Sequence, residues 1–236
     1  MKVKFKEFER KFNERVISHY NRLEASNQDI SEHQKVDHGF LKKYIHRSDY
    51  VLEVGCGTGN YTFDTAKLAR KVDGIDIVNK FVQALKKYSI QKNVSNVKIY
   101  NKNIYDVNYS NQYDRVLFSR SLSNLCNPIK GLRKARRSIK SDGSVIVIES
   151  ENYPSPAGES FPTFWDIALT VAKEIDIQSL DILNKLNFPL IVSREWIKEL
   201  ASLSQMTLLR QNKIGSFYAI PLEDELEIFV TELGKG

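Results

Sequence analysis

The chain has 236 residues, of which 42% are hydrophobic and 27% are charged, and its formal net charge is +6. This composition is ordinary for a globular protein, and the length suits one large domain or one domain with an appended cap. No apolar run approaches the roughly 20 residues that a membrane span needs. Residues 1–10 have no apolar segment after their charges, which argues against a secretory signal. Two cysteines are too few for a disulfide framework or, unaided, a metal site. We therefore expect a cytoplasmic protein without a metal centre.

The first 48 residues have the pattern of helices. Apolar side chains recur there at helical spacing, at Phe5, Phe8, Phe12, Val16 and Tyr20. All four histidines of the chain also fall in this segment, at positions 19, 33, 38 and 46. We interpret residues 1–48 as an N-terminal helical cap.

Residues 49–149 alternate between short β-branched runs and helical patterns such as Asn79–Gln91. The predicted strands are Tyr50–Val54, Lys71–Ile75, Val97–Tyr100, Asp114–Phe118 and Ser144–Ile148. Strands that alternate with helices pair in parallel through right-handed crossovers. Because these runs are apolar on both faces, helices should cover both sides of the sheet. The pattern predicts a Rossmann-like, doubly wound α/β fold whose mostly parallel sheet has seven strands in all.

The densest basic run, Lys130–Lys140, bears on the partners of the protein. A positive net charge favours nucleic acid, because basic surfaces release counterions from phosphates. The run has the spacing of an amphipathic helix, however, with Leu132, Ala135 and Ile139 on one side. We interpret it as the solvated face of a helix, and nucleic acid stays an open alternative.

Two regions follow the predicted core. Residues 150–205 open with three prolines and many aromatic residues, and we interpret them as a second cap, inserted over the sheet. Residues 206–236 contain two strand candidates, Met206–Asn212 and Ser216–Leu222, and then an acidic stretch that we predict to be a final helix.

Three glycines in five residues follow the first predicted strand. In Gly55-Cys56-Gly57-Thr58-Gly59 the third glycine comes one residue too early for the dinucleotide pattern GxGxxG, which would need glycine at Asn60. Glu53 precedes this loop, and Asp76 ends the second predicted strand. With the loop at the carboxyl end of a strand, the sequence resembles the class I S-adenosylmethionine-dependent methyltransferases.

This resemblance covers about Tyr50 to Glu149 and implies S-adenosylmethionine as the cofactor. It implies that Asp76 binds the ribose hydroxyls, that Ile77 packs on the adenine, and that Asn103 and Ile104 meet the adenine at a place where the family usually has an acid. Tyr20 resembles an aromatic residue that closes over the methionine part. The cofactor-binding residues it implies are Tyr20, Glu53, Gly55, Cys56, Gly57, Gly59, Asp76, Ile77, Asn103, Ile104 and Ser119.

The acceptor and any catalytic base must come from the caps. The family often has a histidine after the fourth strand, where this chain has Ser123 and Asn124. Candidate bases are therefore His19, His33 and His38. Aromatic side chains of the second cap predict an acceptor pocket, formed by Tyr153, Phe161, Phe164 and Trp165.

The resemblance predicts methyl transfer to an oxygen or nitrogen atom of a small, partly apolar or aromatic molecule. Two alternatives stay open: an RNA (tRNA) or protein methyltransferase on the same core, and a catalytically silent protein that binds the cofactor. The sequence leaves the oligomeric state open and gives no reason to expect a membrane partner.

Overall fold

The structure is a computed structural model that describes residues 2–22, 38–150, 164–175, 193–219 and 224–236. Its helices are α1 (Lys2–Arg22), a short 3-10 helix (His38–Lys43), α2 (Thr62–Leu68), α3 (Asn79–Gln91), α4 (Pro128–Ser138), α5 (Phe164–Glu174) and α6 (Arg194–Leu203). Its strands are β1 (Tyr50–Val54), β2 (Lys71–Asp76), β3 (Val97–Asn101), β4 (Tyr113–Ser119), β5 (Ile139–Ser150), β6 (Met206–Ala219) and β7 (Asp224–Lys235). Among the described residues, no helix is long and apolar enough to cross a membrane.

The seven strands form one sheet in the order β3-β2-β1-β4-β5-β7-β6. Strands β1 to β5 pair in parallel, and β7 pairs antiparallel with both β5 and β6. The predicted α/β fold with a mostly parallel seven-stranded sheet is therefore confirmed. The strand order reverses between β1 and β4, and open α/β sheets bind ligands outside the carboxyl ends of the strands at such a reversal.

The parallel strands are buried because helices cover both faces of the sheet. Leu52 and Val116 belong to the core on one face, while Val51, Leu117 and Ile146 belong to the core on the other. Successive side chains of a strand point to opposite faces, so an apolar residue at nearly every position serves both cores.

The amphipathic pattern of the basic run also gives the predicted helix. Leu132 and Ala135 are fully buried in α4, as their spacing predicts. The side chain of Asn127 caps the helix by accepting a hydrogen bond from the Lys130 N–H at 2.9 Å, and Pro128 occupies the first turn, where no N–H is needed.

Helix α1 contributes to the core on the face of the sheet that also holds Leu52 and Val116, which we call the main core. Its predicted apolar face buries Phe8, Phe12 and Val16 against the sheet side of the molecule. Ion pairs join α1 to two neighbouring helices. Lys11, at 3.2 Å, and Arg15 both pair with Glu174 of α5, and Glu9 lies 2.7 Å from Lys130 of α4. Removing α1 would therefore expose core residues.

The prediction of a final acidic helix is wrong, because residues 224–235 form β7. The first predicted strand, Met206–Asn212, falls within β6, which ends at Ala219. The second, Ser216–Leu222, overlaps β6 over residues 216–219, and its last three residues lie outside the described part of the chain. Strand β7 lies between β5 and β6 and buries Phe229 on one face and Val230 on the other. Its acid Glu232 is accommodated by hydrogen bonds from Ser144 Oγ and Arg210 Nε, both at 2.6 Å. Pairing on both edges overrides the acidic character of the segment.

Candidate functional site at the carboxyl edge of the sheet

The loop after β1 has a backbone that suits glycine. Gly55, Gly57 and Gly59 have φ values of +71°, +50° and +92°, in the left-handed region that other residues adopt only with strain. A Cβ placed on Gly57 would meet no atom within 4 Å, so the main chain faces open space there. At Gly55 a Cβ would lie only 2.6 Å from the Cβ of Ser121. The loop is therefore open at its centre and tightly packed at its start.

Asp76 connects the end of β2 to this loop. Its Oδ2 accepts a hydrogen bond from the Gly57 N–H at 2.9 Å, and its Oδ1 accepts one from the Val78 N–H at 2.8 Å. Burial raises the pKa of the carboxyl group, and these two bonds partly offset the shift. A carboxylate oxygen has two lone pairs, so each Asp76 oxygen can still accept a bond from a ligand hydroxyl.

Glu53 lies deeper and joins three elements. Its carboxylate accepts hydrogen bonds from Thr62 Oγ at 2.6 Å and from Ser119 Oγ at 2.7 Å, so it connects β1 to the start of α2 and to the end of β4. The residue is fully buried, and burial raises its pKa to about 7. Glu53 and the predicted site residue Ser119 therefore bond to each other below the edge.

A second buried carboxylate, Glu149 of β5, was not predicted as a site residue. It accepts hydrogen bonds from the N–H and the Oγ of Ser123, both at 3.1 Å, and burial raises its pKa to about 7. Ser121, between Ser119 and Ser123 in the chain, donates to the Val54 carbonyl at 2.6 Å. The sequence feature that points to this contact is the serine at every second position of Ser-Arg-Ser-Leu-Ser, residues 119–123, directly after β4.

Other predicted cofactor-binding residues are Asn103 and Ile104 after β3, Ile77 after β2 and Cys56 in the glycine loop. Asn103 Oδ1 accepts a hydrogen bond from the Tyr105 N–H at 3.0 Å and keeps a second lone pair, whereas Ile104 is buried in the core. Ile77 is half-buried next to Asp76. Burial raises the pKa of the Cys56 thiol well above its ordinary value, so this cysteine is a poor nucleophile.

The end of α1 reaches the same edge from above. The Lys80 ammonium donates to the Tyr20 carbonyl at 3.2 Å, and the rings of Tyr20 and Phe81 lie edge to face with centroids 5.4 Å apart. Lys80 and Phe81 are in the first turn of α3, four and five residues after Asp76. The candidate base His19 contacts the Tyr20 ring, with centroids 5.4 Å apart.

The other predicted site residues are placed only in part. His38 begins the 3-10 helix, and Phe164 and Trp165 begin α5. The side chains of these three residues, and all of His33, Tyr153 and Phe161, lie outside the described residues.

The edge fits a ligand that carries a ribose. Gly57 has open space over its main chain, and Asp76 retains acceptor lone pairs for hydroxyl groups. Asn60 Oδ1, just after the glycine loop, is buried and has no hydrogen-bond partner in the described part of the chain. Buried polar atoms are normally satisfied, so this atom indicates a donor on a bound molecule or water.

A doubly wound sheet with a glycine loop and a strand-end acid at its carboxyl edge defines a protein that binds a nucleoside-type cofactor. The family model described as "Methyltransferase domain" matches residues 45–162, which is half of the chain. The chain belongs to this family. It has a class I S-adenosylmethionine-dependent methyltransferase domain, and its cofactor is S-adenosylmethionine.

Two curated proteins are similar in sequence. MJ1252 of Methanocaldococcus jannaschii, named as an uncharacterized protein, is 27% identical over 142 residues, which are 58% of this chain and 53% of MJ1252. The 23S rRNA (uracil(1939)-C(5))-methyltransferase RlmD of Aliivibrio fischeri is 32% identical over 78 residues, which are 33% of this chain and 18% of RlmD. The chain thus spans about half the length of the first relative and a smaller part of the second.

A solved structure shares the fold over most of the chain. The SAM-dependent methyltransferase of Aquifex aeolicus superposes with a TM-score of 0.57 at 15% identity, covering 84% of this chain and 93% of that one. The likeness extends beyond the residues of the family match and therefore includes elements outside the cofactor-binding core.

Proposed function

We propose that the protein transfers the methyl group of S-adenosylmethionine to an oxygen or nitrogen atom of a small, partly apolar or aromatic molecule. The observation that carries the proposal is the course of α1, which is packed into the core by Phe8 and Phe12 and ends on the first turn of α3 through Tyr20. A helix held there restricts access to the carboxyl edge. Such an enclosure suits a small acceptor better than a macromolecule.

The bound sulfonium would supply an activated methyl group, and the chain would supply position. The main chain at Gly57 and the carboxylate of Asp76 would hold the ribose side of the cofactor, and Asn103 would accept from the adenine amino group. A fixed cofactor lets the protein align the acceptor lone pair with the methyl carbon and the leaving sulfur. Alignment of this kind contributes roughly 7–11 kcal/mol in favourable cases.

A general base is optional in this chemistry and useful when the acceptor is a hydroxyl or an ammonium group. His19, whose ring contacts that of Tyr20 with centroids 5.4 Å apart, is the candidate base that the proposal favours. His33 and His38 remain candidates from sequence alone. After β4 the chain presents Ser123 and Asn124, and Ser123 is engaged with Glu149.

A labelling experiment tests this function. The protein is incubated with S-adenosylmethionine carrying a labelled methyl group and, separately, with a small-molecule extract, an RNA fraction and a protein fraction. We expect label in a small molecule, and none with Asp76→Ala at a cofactor concentration that only the wild type binds. Label confined to RNA or protein would contradict the proposal.

A second candidate, an RNA methyltransferase on the same cofactor core, is favoured by the similarity to RlmD over 78 residues. The positive net charge is compatible with this activity. In the same experiment it predicts label in the RNA fraction. A silent protein that binds the cofactor predicts bound S-adenosylmethionine and no labelled product. A cytoplasmic location and the lack of a membrane partner remain part of the proposal.

A further inference from the structure

The segment that leaves β4, Ser119–Ser123, carries a serine at every second position, and each serine has a different anchor. Ser119 donates to the Glu53 carboxylate, and Ser121 donates to the Val54 carbonyl. Ser123 donates to Glu149 through both its N–H and its hydroxyl group. The segment is therefore tied to β1 on one side of β4 and to β5 on the other, the two strands that pair with it.

The two carboxylates hold this segment from opposite faces of the sheet. Glu53 follows Val51 at a spacing of two, and Val51 belongs to the core on the face of α2. Glu149 follows Val147 at the same spacing, and Val147 belongs to the other core. Since side chains two apart on a strand share a face, the carboxylates approach the end of β4 from opposite directions.

The backbone within the segment is strained. Arg120 has a φ of +54°, which is rare for a residue other than glycine. Its N–H donates to the Ile148 carbonyl at 2.8 Å, and the Asn124 side chain donates to its carbonyl at 3.1 Å. A residue persists in this conformation only where its surroundings hold it, and such strain is often found at functional sites.

The segment Ser119–Ser123 also packs directly against the glycine loop. The Cβ of Ser121 occupies the space that a side chain at Gly55 would need, 2.6 Å from the ideal Cβ position. A shift of Ser121 would therefore move the start of the glycine loop, which lies at the same edge of the sheet as Asp76.

We propose that Glu53 and Glu149 are positioning residues that hold Ser119–Ser123 against the glycine loop and thereby shape the cofactor site beside β4. The proposal rests on the proposed function only in taking this edge as the S-adenosylmethionine site. Its test reads cofactor binding and backbone exchange, so a failure to find a small acceptor would leave the test intact.

Protonation gives the proposal a distinctive signature. The charged group that acts on Glu149 is Arg120, and the charged group that acts on Glu53 is Asp76. Tyr61 also faces both carboxylates and Cys56 faces Glu53, but burial raises the pKa of each, so both are neutral near pH 7. An ionised Glu149 accepts both hydrogen bonds of Ser123 with a charged acceptor, whereas the protonated form has lost that charge and turns one oxygen into a donor. The Ser123 hydroxyl must then rotate to accept, and both bonds weaken. The segment should therefore loosen, and the cofactor bind less tightly, as pH falls through about 7.

The experiment compares wild type with Glu149→Gln, Ser123→Ala and the control Ser144→Ala. Ser144 is a buried serine in the middle of β5, away from the carboxyl edge, that donates to the buried Glu232 at 2.6 Å, so it matches Ser123 in chemistry but not in place. Calorimetry measures the Kd of S-adenosylmethionine and of S-adenosylhomocysteine, which lacks the sulfonium charge, at pH 6 and pH 8. Hydrogen exchange follows residues 119–124.

We expect Glu149→Gln and Ser123→Ala to weaken both ligands about tenfold at pH 8, the effect of losing one hydrogen bond to a charged group. Exchange over residues 119–124 should quicken by a similar factor, and the pH dependence should be smaller in Glu149→Gln than in the wild type. Titration of the ligand affects both proteins equally, so it cancels when their pH dependences are compared. Ser144→Ala should bind both ligands normally.

Three outcomes would overturn the proposal. Normal ligand binding and exchange in both site variants would show that the serines and carboxylates only fill space. Equal weakening in Ser144→Ala would show a general loss of stability. A loss confined to S-adenosylmethionine, with S-adenosylhomocysteine unaffected, would show that Glu149 acts by its charge and not by holding the segment.

Discussion

Asp76 has two tasks at the scale of single residues. It fixes the glycine loop and the first turn after β2 by accepting from the Gly57 and Val78 N–H groups, and each of its oxygens keeps a lone pair for a further donor. Because the residue is only 8% exposed, bulk water reaches little of its carboxylate, and under the proposed function ribose hydroxyls would take the remaining lone pairs.

Replacing Asp76 with alanine should weaken S-adenosylmethionine binding by about 1.5–3 kcal/mol, the range for hydrogen bonds to a charged group. Asp76→Asn should lose less, since its amide oxygen still accepts one bond. Calorimetry against Asp106→Ala, which removes an exposed aspartate just after β3, gives the comparison. Normal binding by Asp76→Ala together with early melting would make Asp76 a structural residue.

Glu53 makes the stability of the fold depend on pH. Its folded pKa of about 7 is above the ordinary 4.5, so the folded state holds this proton more tightly than the unfolded chain does. The stability that the protonated group contributes is complete below about pH 4.5 and is lost as pH rises through 7.

Between pH 5 and pH 8 the wild type should therefore lose stability relative to Glu53→Gln, by on the order of 2–3 kcal/mol at 1.36 kcal/mol per pKa unit. Urea unfolding of both proteins at the two pH values measures this difference. Glu195→Gln, at an exposed position of α6, should run parallel to the wild type. If the free energy of unfolding of Glu53→Gln changed with pH as that of the wild type does, Glu53 would be ionised in the folded state at no free-energy penalty.

At the scale of elements, the proposed function makes α1 the helix that closes the site. Its buried residues fasten it to the core, and its last turn rests on α3 beside the cofactor edge. Deleting the helix would remove Phe8, Phe12 and Val16 from the core, so the loss of activity in such a truncation would mix folding with gating. A single change at the end of the helix separates the two.

Tyr20→Ala removes the ring that contacts Phe81 but leaves the carbonyl that accepts from Lys80. We expect methyl transfer to fall about tenfold or more, with a smaller loss of cofactor affinity, because water would reach the transfer site more freely. Glu14→Ala, which breaks an exposed pair with Arg10 on the same helix, is the control. Unchanged transfer in Tyr20→Ala would indicate that α1 does not close the site.

At the scale of the whole molecule, β7 joins the parallel strands β1 to β5 to the C-terminal strand β6. It inserts between β5 and β6, so residues near the end of the chain complete the pairing of a strand that carries Glu149. Phe229 pairs with Glu149 in this register and is fully buried in the main core. The site beside β4 therefore depends on the last strand of the fold.

Phe229→Ala should destabilise the protein by about 3–5 kcal/mol, through lost burial and the cavity left behind. Leu209→Ala on β6, where the side chain is 56% exposed, should change stability by about 0.5 kcal/mol or less. Denaturant unfolding of the two variants gives both values. A small effect of Phe229→Ala would mean that β7 adds little to the folding of the core.

The sequence by itself determined the elements whose signals are local. The strand positions of β1 to β5 and helix α3 followed from apolar runs and helical spacing, and the glycine loop and Asp76 followed from their order along the chain. These features are legible because strand burial and turn dihedrals constrain residue type directly.

Only the tertiary structure decided the contacts between residues far apart in sequence. Ser119 meets Glu53 across 66 positions and Ser123 meets Glu149 across 26, and neither partner can be read from composition or spacing. The last segment became β7 because β5 and β6 offered unpaired edges, against its acidic character. Register and pairing are properties of the assembled sheet, so the pattern of one segment cannot specify them.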